Sequence, residues 1–166
     1  AITFRKRVVA DQDDGQTSGA GTAVATGGNT IQINATKYGL FRFTDLDIPV
    51  NAQVKSAYLR VYSAADTSSA ANLSISIEEA GNSSTLTGET GVSGVDFFGS
   101  VGWTISDSWD TDASYQSPDI KGLVNAALNA GWNAGNSMLL RVSSTSGNRT
   151  FWAHEKYDQL RSAQLI

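Results

Sequence analysis

Apolar and polar residues alternate with period two along most of this chain, in short segments separated by Gly, Asn, Asp and Ser. That pattern predicts many antiparallel strands. Residues 2–9 open the series. Segments 22–26 and 30–34 read as a hairpin turning at Gly27-Gly28-Asn29, residues that accept positive φ. In segment 38–43, Phe41 and Phe43 share one face and Arg42 takes the other. Pro49 breaks the pattern, and segment 54–62 then sets Lys55, Ala57, Leu59 and Val61 against Val54, Ser56, Tyr58, Arg60 and Tyr62. Leu73, Ile75 and Ile77 oppose Ser74, Ser76 and Glu78. Segments 101–105, 138–142, 150–154 and 163–166 supply the remaining strands.

One segment follows the helical period instead. Ile120, Leu123, Val124, Ala127 and Leu128 form a stripe at i, i+3, i+4, i+7 and i+8. Ser117 is its expected N-cap, Pro118 its first residue, Asp119 a favourable charge at the positive end, and Gly131 its stop. Residues 80–99 are polar with little periodicity and read as an irregular excursion. The sum is an all-β chain, a two-sheet antiparallel β-sandwich of the jelly-roll kind with one short helix near residues 118–130. In such a fold two half-buried sheets cover each other's apolar faces. Residues 1–166 read as one domain.

Composition narrows the class. The 166 residues contain no cysteine, so neither a disulfide framework nor a thiolate metal site exists. Charged residues are only 17%, and Ser, Thr, Asn, Ala and 16 Gly fill the deficit, as suits a secreted or surface-displayed β-protein. A formal net charge of −4 argues against nucleic acid, which requires a basic face. The basic run Arg5-Lys6-Arg7 is followed by Asp11, Asp13 and Asp14. No apolar run is long enough for a membrane-spanning helix, and no membrane insertion is expected. Ala1 in place of Met is expected from removal of a signal peptide or excision from a longer product.

Catalytic chemistry finds few candidates. His154 is the sole histidine, and no G-x-S-x-G elbow accompanies it, so it reads as an edge or surface residue and the chain as a non-enzyme. Asp107, Asp110 and Asp112 are the acids available for paired-carboxylate hydrolysis, but their Ser- and Thr-rich setting reads as an Asx-turn loop. Calcium has better candidates. Asp11, Asp13 and Asp14 precede Gly15 in a turn, where backbone carbonyls can add to the carboxylates. The other reading of these acids, and of Asp107–Asp110–Asp112 and Asp45–Asp47, is a solvated loop.

The aromatic residues are the remaining resource. Sugar rings present apolar C–H faces that stack on Trp or Tyr, while their hydroxyls seek planar polar partners. Trp103, Trp109, Tyr115, Trp132 and Trp152 are the rings to consider, with Arg149, His154 and Tyr157 as polar company. Trp103 and Trp132 read more readily as core, whereas Trp109 and Trp152 fit either role. If Phe151 faces inward, alternation predicts an outward platform of Trp152 and His154. Phe97 and Phe98 cannot both face one way.

Gly39-Leu40-Phe41-Arg42-Phe43, Ile48-Pro49, Ala52, Val54 and Ser56-Ala57-Tyr58-Leu59 form a recognisable series. Val101-Gly102-Trp103, Trp109, Tyr115, Ser117-Pro118-Asp119-Ile120, Gly131-Trp132, Gly135-Asn136, Gly147-Asn148-Arg149 and Gln164-Leu165-Ile166 continue it. This series resembles bacterial extracellular jelly-roll domains of the DNRLRE type, related to archaeal disaggregatase, and carbohydrate-binding-module-like domains. It covers residues 38–166 in pieces. The resemblance implies a non-catalytic module of secreted polysaccharide-degrading enzymes, adhesins or virion surfaces, in some cases with structural calcium.

The expected function is therefore an extracellular or surface-displayed module that binds polysaccharide or a cell-surface glycan. Its expected ligand residues are Trp109, Tyr115, Arg149, Trp152 and His154, and calcium is expected at Asp11, Asp13 and Asp14. The alternative is a structural protein of a virion (a decoration, fibre or tail domain) or of an extracellular assembly. Its partners would be neighbouring subunits or domains, docked by strand addition at an edge such as residues 2–9 or 163–166.

Overall fold

A computed structural model describes residues 3–18, 23–86, 92 and 94–166; the side chains of Ala23 and Asp158 are not described. Ile2 of the expected first strand and Thr22 of the expected hairpin lie outside the described residues.

Two antiparallel layers face each other. The larger is a six-stranded sheet centred on β5 (Gly39–Phe43), β10 (Met138–Ser146) and β7 (Ala71–Glu78). Beyond β5 lie β2 (Asp14–Ser18) and β3 (Ala23–Ala25), and beyond β7 lies β8 (Phe97–Ile105). The other layer contains β1 (Lys6–Arg7), β12 (Gln164–Leu165), β6 (Leu59–Tyr62) and β9 (Ser114–Gln116), in that order. The pair β4 (Thr30–Ile33) and β11 (Arg149–Trp152) extends this layer through a bridge between Ser63 and Phe151. The chain is thus an all-β antiparallel sandwich with, among the described residues, one α-helix, α1 (Lys121–Leu128).

The period-two pattern is what makes the layers fit. Phe41, Phe43, Ile75, Ile77, Leu140 and Val142 project from the larger sheet into the gap, and Ile31, Ile33, Leu59, Val61 and Phe151 project from the other layer. Burying each side chain contributes about 1.5–3 kcal/mol against exposure. The α1 stripe (Ile120, Leu123, Val124, Ala127 and Leu128) is buried as its spacing requires. Trp132, just beyond α1, is also buried and donates its indole N–H to the Ile48 carbonyl, 2.8 Å.

Several expectations give way to tertiary context. β3 pairs with β2 and β4 with β11, so the expected hairpin does not form, and Gly27 (φ +77°) carries the chain from one layer to the other. The reason lies in the partners: Ile31 and Ile33 belong in the main core, whereas Val24 joins a second apolar cluster with Leu40, Leu139, Leu86 and Val92. Leu86 and Val92, described residues of the polar excursion, pack on the outer face of the six-stranded sheet. Ser117 does not cap α1. Its hydroxyl accepts from Leu59 N–H at 2.9 Å and its own N–H donates to Leu59 O at 2.8 Å, fastening the end of β9 to β6. Asp119 takes the capping role, accepting from Lys121 N–H (2.9 Å) and Ala57 N–H (3.0 Å). These hydrogen bonds, that from Ala57 foremost, hold its carboxyl below the ordinary range. Finally, β12 pairs with β1 on one side and β6 on the other, so it is not an edge open to strand addition.

Candidate functional site

The N-terminal acids separate on folding. Asp13 lies in a 3-10 turn at Asp11–Asp13, and its Oδ1 accepts from Arg42 Nη1 at 2.6 Å. Arg42 also donates to the Ser83 carbonyl and to the hydroxyls of Ser83 and Ser137. Asp13 is therefore a buried ion-pair partner that ties the turn to β5, and this corrects its expected role as a cation ligand: Arg42 already neutralises its charge.

Asp11 and Asp14 turn instead toward the chain just after β11. That strand ends at Trp152, so the expected alternation stops and His154 folds inward, 4% exposed, rather than standing on the surface. Its N–H donates to Asp14 Oδ2 at 2.8 Å, and its Nδ1 lies 3.2 Å from Asp11 Oδ1. Asp11, His154 and Glu155 can each direct one donor atom to a common point, with these atoms within 4.8 Å of one another. Asp14 Oδ1, both Glu155 carboxylate oxygens and His154 Nε2 are buried with no hydrogen-bond partner among the described residues. Burial, the His154 N–H opposing it, and the charges of Glu155, Asp11 and Asp13 leave the Asp14 carboxyl pushed up to about 8. Burial likewise raises that of Glu155, opposed by its own backbone N–H, by His154 and by the Gly27 N–H, with Asp11 adding to the rise. Several carboxylate oxygens concentrated around one imidazole are what a divalent cation can use, and these residues fit one. The expected Asp45–Asp47 and Asp107–Asp110–Asp112 sets are not gathered in this way among the described residues.

Four of the expected sugar ligands, His154 among them, lie in the interior or turn toward it. Trp109 is 3% exposed; one ring contact is a parallel stack on half-buried Tyr115, centroids 4.0 Å apart, and others are with Phe151 and Trp103. Arg149 is fully buried, with its guanidinium 5.1 Å from the centre of the Trp109 ring and Nη1 donating to the Asn148 carbonyl. Burial lowers its pKa, partly offset by Tyr115. Tyr115 points inward because β9 alternates, and its hydroxyl accepts from Asp110 N–H at 2.7 Å. Trp103 is buried as well. These rings are occupied by one another and by Arg149, which leaves no broad face for a sugar.

Trp152 is placed differently. Phe151 faces the core, so Trp152 faces outward, half-buried, and donates its indole N–H to Asp112 Oδ1 at 2.8 Å. Its ring meets Tyr157 edge-on at 5.3 Å between centroids. Tyr157 is 44% exposed and holds φ +54°, a strained value for a non-glycine residue. Arg161 lies 4.1 Å from the Tyr157 ring centre and pairs with Asp112; Lys156 stands 5.0 Å from the same ring. The Ser63–Phe151 bridge brings Tyr62 of β6 opposite Trp152 on this outer face. Beside it, Arg7, Gln164, Arg60 and Gln116 stand in register across β1, β12, β6 and β9. The Gln164 amide oxygen lies 2.9 Å from Arg7 Nη2. The structure thus brings together Trp152 and Tyr157, and adds Asp112, Arg161 and Tyr62. Glu155 and Arg161 escaped the sequence reading because neither lies in a spaced motif; only their neighbours, His154 and Tyr157, carried a signal.

No family model matches the chain, and no curated protein matches it. Solved structures similar to it include an exo-β-1,3-galactanase from Phanerochaete chrysosporium with galactose, at 13% identity and a TM-score of 0.43, covering 100% of this chain and 30% of that one. A latent aurone synthase (polyphenol oxidase) from natural source is similar at 10% identity and a TM-score of 0.42, over 84% of this chain and 27% of that one. The CBM22-1 xylan-binding domain from Paenibacillus barcinonensis Xyn10C is similar at 11% identity and a TM-score of 0.39, over 98% and 91% of the two chains. The chain thus spans less than a third of the first two. At these identities and scores, no ligand or activity carries over from any of the three.

Proposed function

We propose that this chain is a non-catalytic carbohydrate-binding module, displayed outside the cell, with its ligand platform at Trp152 and Tyr157. The observation that carries this reading is the outward aromatic pair held beside Asp112 and Arg161, with Tyr157 44% exposed. Arg161 covers one face of the Tyr157 ring, and the exposed remainder of the ring can take the C–H side of a sugar while the carboxylate and guanidinium address its hydroxyls. The aromatic cluster around Trp109 is then the rigid floor beneath the platform rather than the platform itself. Calcium is the cation we assign to Asp11, His154 and Glu155, beside the buried, unpartnered Oδ1 of Asp14. Buried against Asp11 and Asp14, His154 supports a structural role.

The test is binding to a panel of soluble polysaccharides by affinity electrophoresis and calorimetry. Trp152→Ala and Tyr157→Ala are each expected to weaken the retained glycan roughly tenfold. Tyr115→Phe, beneath the platform, is expected to leave binding unchanged. A chain that retains no glycan, or that retains one equally after both rings are removed, rules this reading out.

A further inference from the structure

The two platform rings and the cation ligands alternate within one six-residue stretch, Trp152, Ala153, His154, Glu155, Lys156 and Tyr157. Ala153 is anchored to the body of the sandwich through its N–H to Asn29 O, 3.0 Å, and Lys156 N–H closes a turn onto Ala153 O, 3.2 Å. His154 and Glu155 form the inner side of this turn, facing Asp11 and Asp14, while Trp152 and Tyr157 leave it on the outer side. A charge bound on the inner side therefore acts on a segment whose two ends carry the rings.

We propose that a divalent cation held by Asp11, Glu155 and His154, beside the buried Asp14 carboxyl, sets the spacing of Trp152 and Tyr157 and so makes the platform cation-dependent. The physical basis is local. Asp11 comes from the N-terminal turn and Glu155 from the far end of the chain, so the cation clasps two segments whose like charges otherwise repel. Without it, relief of that repulsion requires Glu155 to swing outward, and Lys156 and Tyr157 follow along the backbone. Asp11 has a 60% exposed side chain, which opens a path for the ion from solvent. The donors comprise carboxylate oxygens and one imidazole nitrogen, so both a hard and a borderline ion need testing. The part that concerns glycan rests on the function proposed above; the coupling of the cation to the rings does not.

The experiment titrates the full chain, stripped with EDTA, with Ca²⁺ and separately with Zn²⁺, following tryptophan emission and Tm. One or both ions are expected to give a saturable change in emission and, at 100-fold excess over Kd, a rise in Tm of roughly 5–10 °C. Trp152→Phe is expected to keep the rise in Tm and lose most of the emission change. Glu155→Gln is expected to lose both. Failure of both ions to raise Tm overturns the cation site, and an emission change that survives Trp152→Phe overturns the coupling. Any glycan retained by the chain is then expected to bind at least about fivefold more tightly with the ion, and the ion correspondingly more tightly with glycan. Equal glycan affinity with and without the ion also overturns the coupling. If no glycan binds, the proposed function fails while the emission and Tm outcomes still decide the clasp.

Discussion

Asp14 sits where burial and the charges of Asp11, Asp13 and Glu155 all oppose its ionisation, with only the His154 N–H in its favour. Its carboxyl titrates at about 8 in the folded chain, against 3.8 ordinarily, so between those values folding takes up a proton. The stabilisation from this group is fully present below the lower value and is lost as the pH rises through the upper one. In EDTA, the unfolding free energy is thus expected to fall from about pH 5 to pH 8 by up to about 1.4 kcal/mol per unit. Asp14→Asn retains an acceptor for His154 N–H and is expected to flatten that slope. Urea titrations across the range measure both; stability of the parent chain that rises with pH would contradict the assignment. The aromatic residues teach a related lesson at the same scale. Trp109 and Trp152 looked equivalent by type, yet one stacks on Tyr115 inside the molecule and the other meets Tyr157 at its surface.

Elements meet where glycine lets them. Gly147, in the turn joining β10 to β11, has φ +71°, and a Cβ there would lie 2.4 Å from the Ala70 carbonyl oxygen. Gly131, after α1, has φ +86° but open space around its would-be Cβ. Gly131→Ala is expected to cost about 1–2 kcal/mol, the price of the left-handed conformation alone. Gly147→Ala is expected to cost roughly 1–3 kcal/mol more, because backbone must move. Midpoints of urea unfolding separate the two, and equal losses would mean that the β10–β11 turn shifts freely. The strands themselves were legible wherever one face is core and the other open, as in Leu59–Tyr62, where Leu59 and Val61 are buried and Arg60 and Tyr62 are not. They were less legible where both faces are covered. Leu40 and Leu139 are buried out of phase with Phe41 and Leu140 because Leu86 and Val92 pack over them.

For the whole molecule, the rival to glycan binding is a structural subunit of a surface assembly. It draws on Phe98, 42% exposed beside a groove of about 300 Å³ lined by Glu79, Ala126, Ala127, Asn129 and Ala130, and on Leu160, 67% exposed. Because β12 is paired on both sides, the C-terminal strand is closed as a docking edge and β1 remains open on one side. Light scattering, with calcium and again with chelator, is expected to give the mass of one chain in both conditions. A stable assembly would favour the structural role and reassign the exposed rings as contacts.

The period of the apolar positions was enough to settle the class of fold, the inward faces of the strands and the buried stripe of α1, because those properties follow from where a side chain points relative to its neighbours in sequence. Which strands pair was decided in three dimensions, as β3 and β4 show by parting into different layers. The same holds for the candidate site. Asp11 and His154 are 143 residues apart, and only the closing of the sandwich brings an N-terminal turn against the end of β11. Local pattern reports which residues share a face; whether that face meets solvent, another ring or a carboxylate depends on what the rest of the chain lays over it.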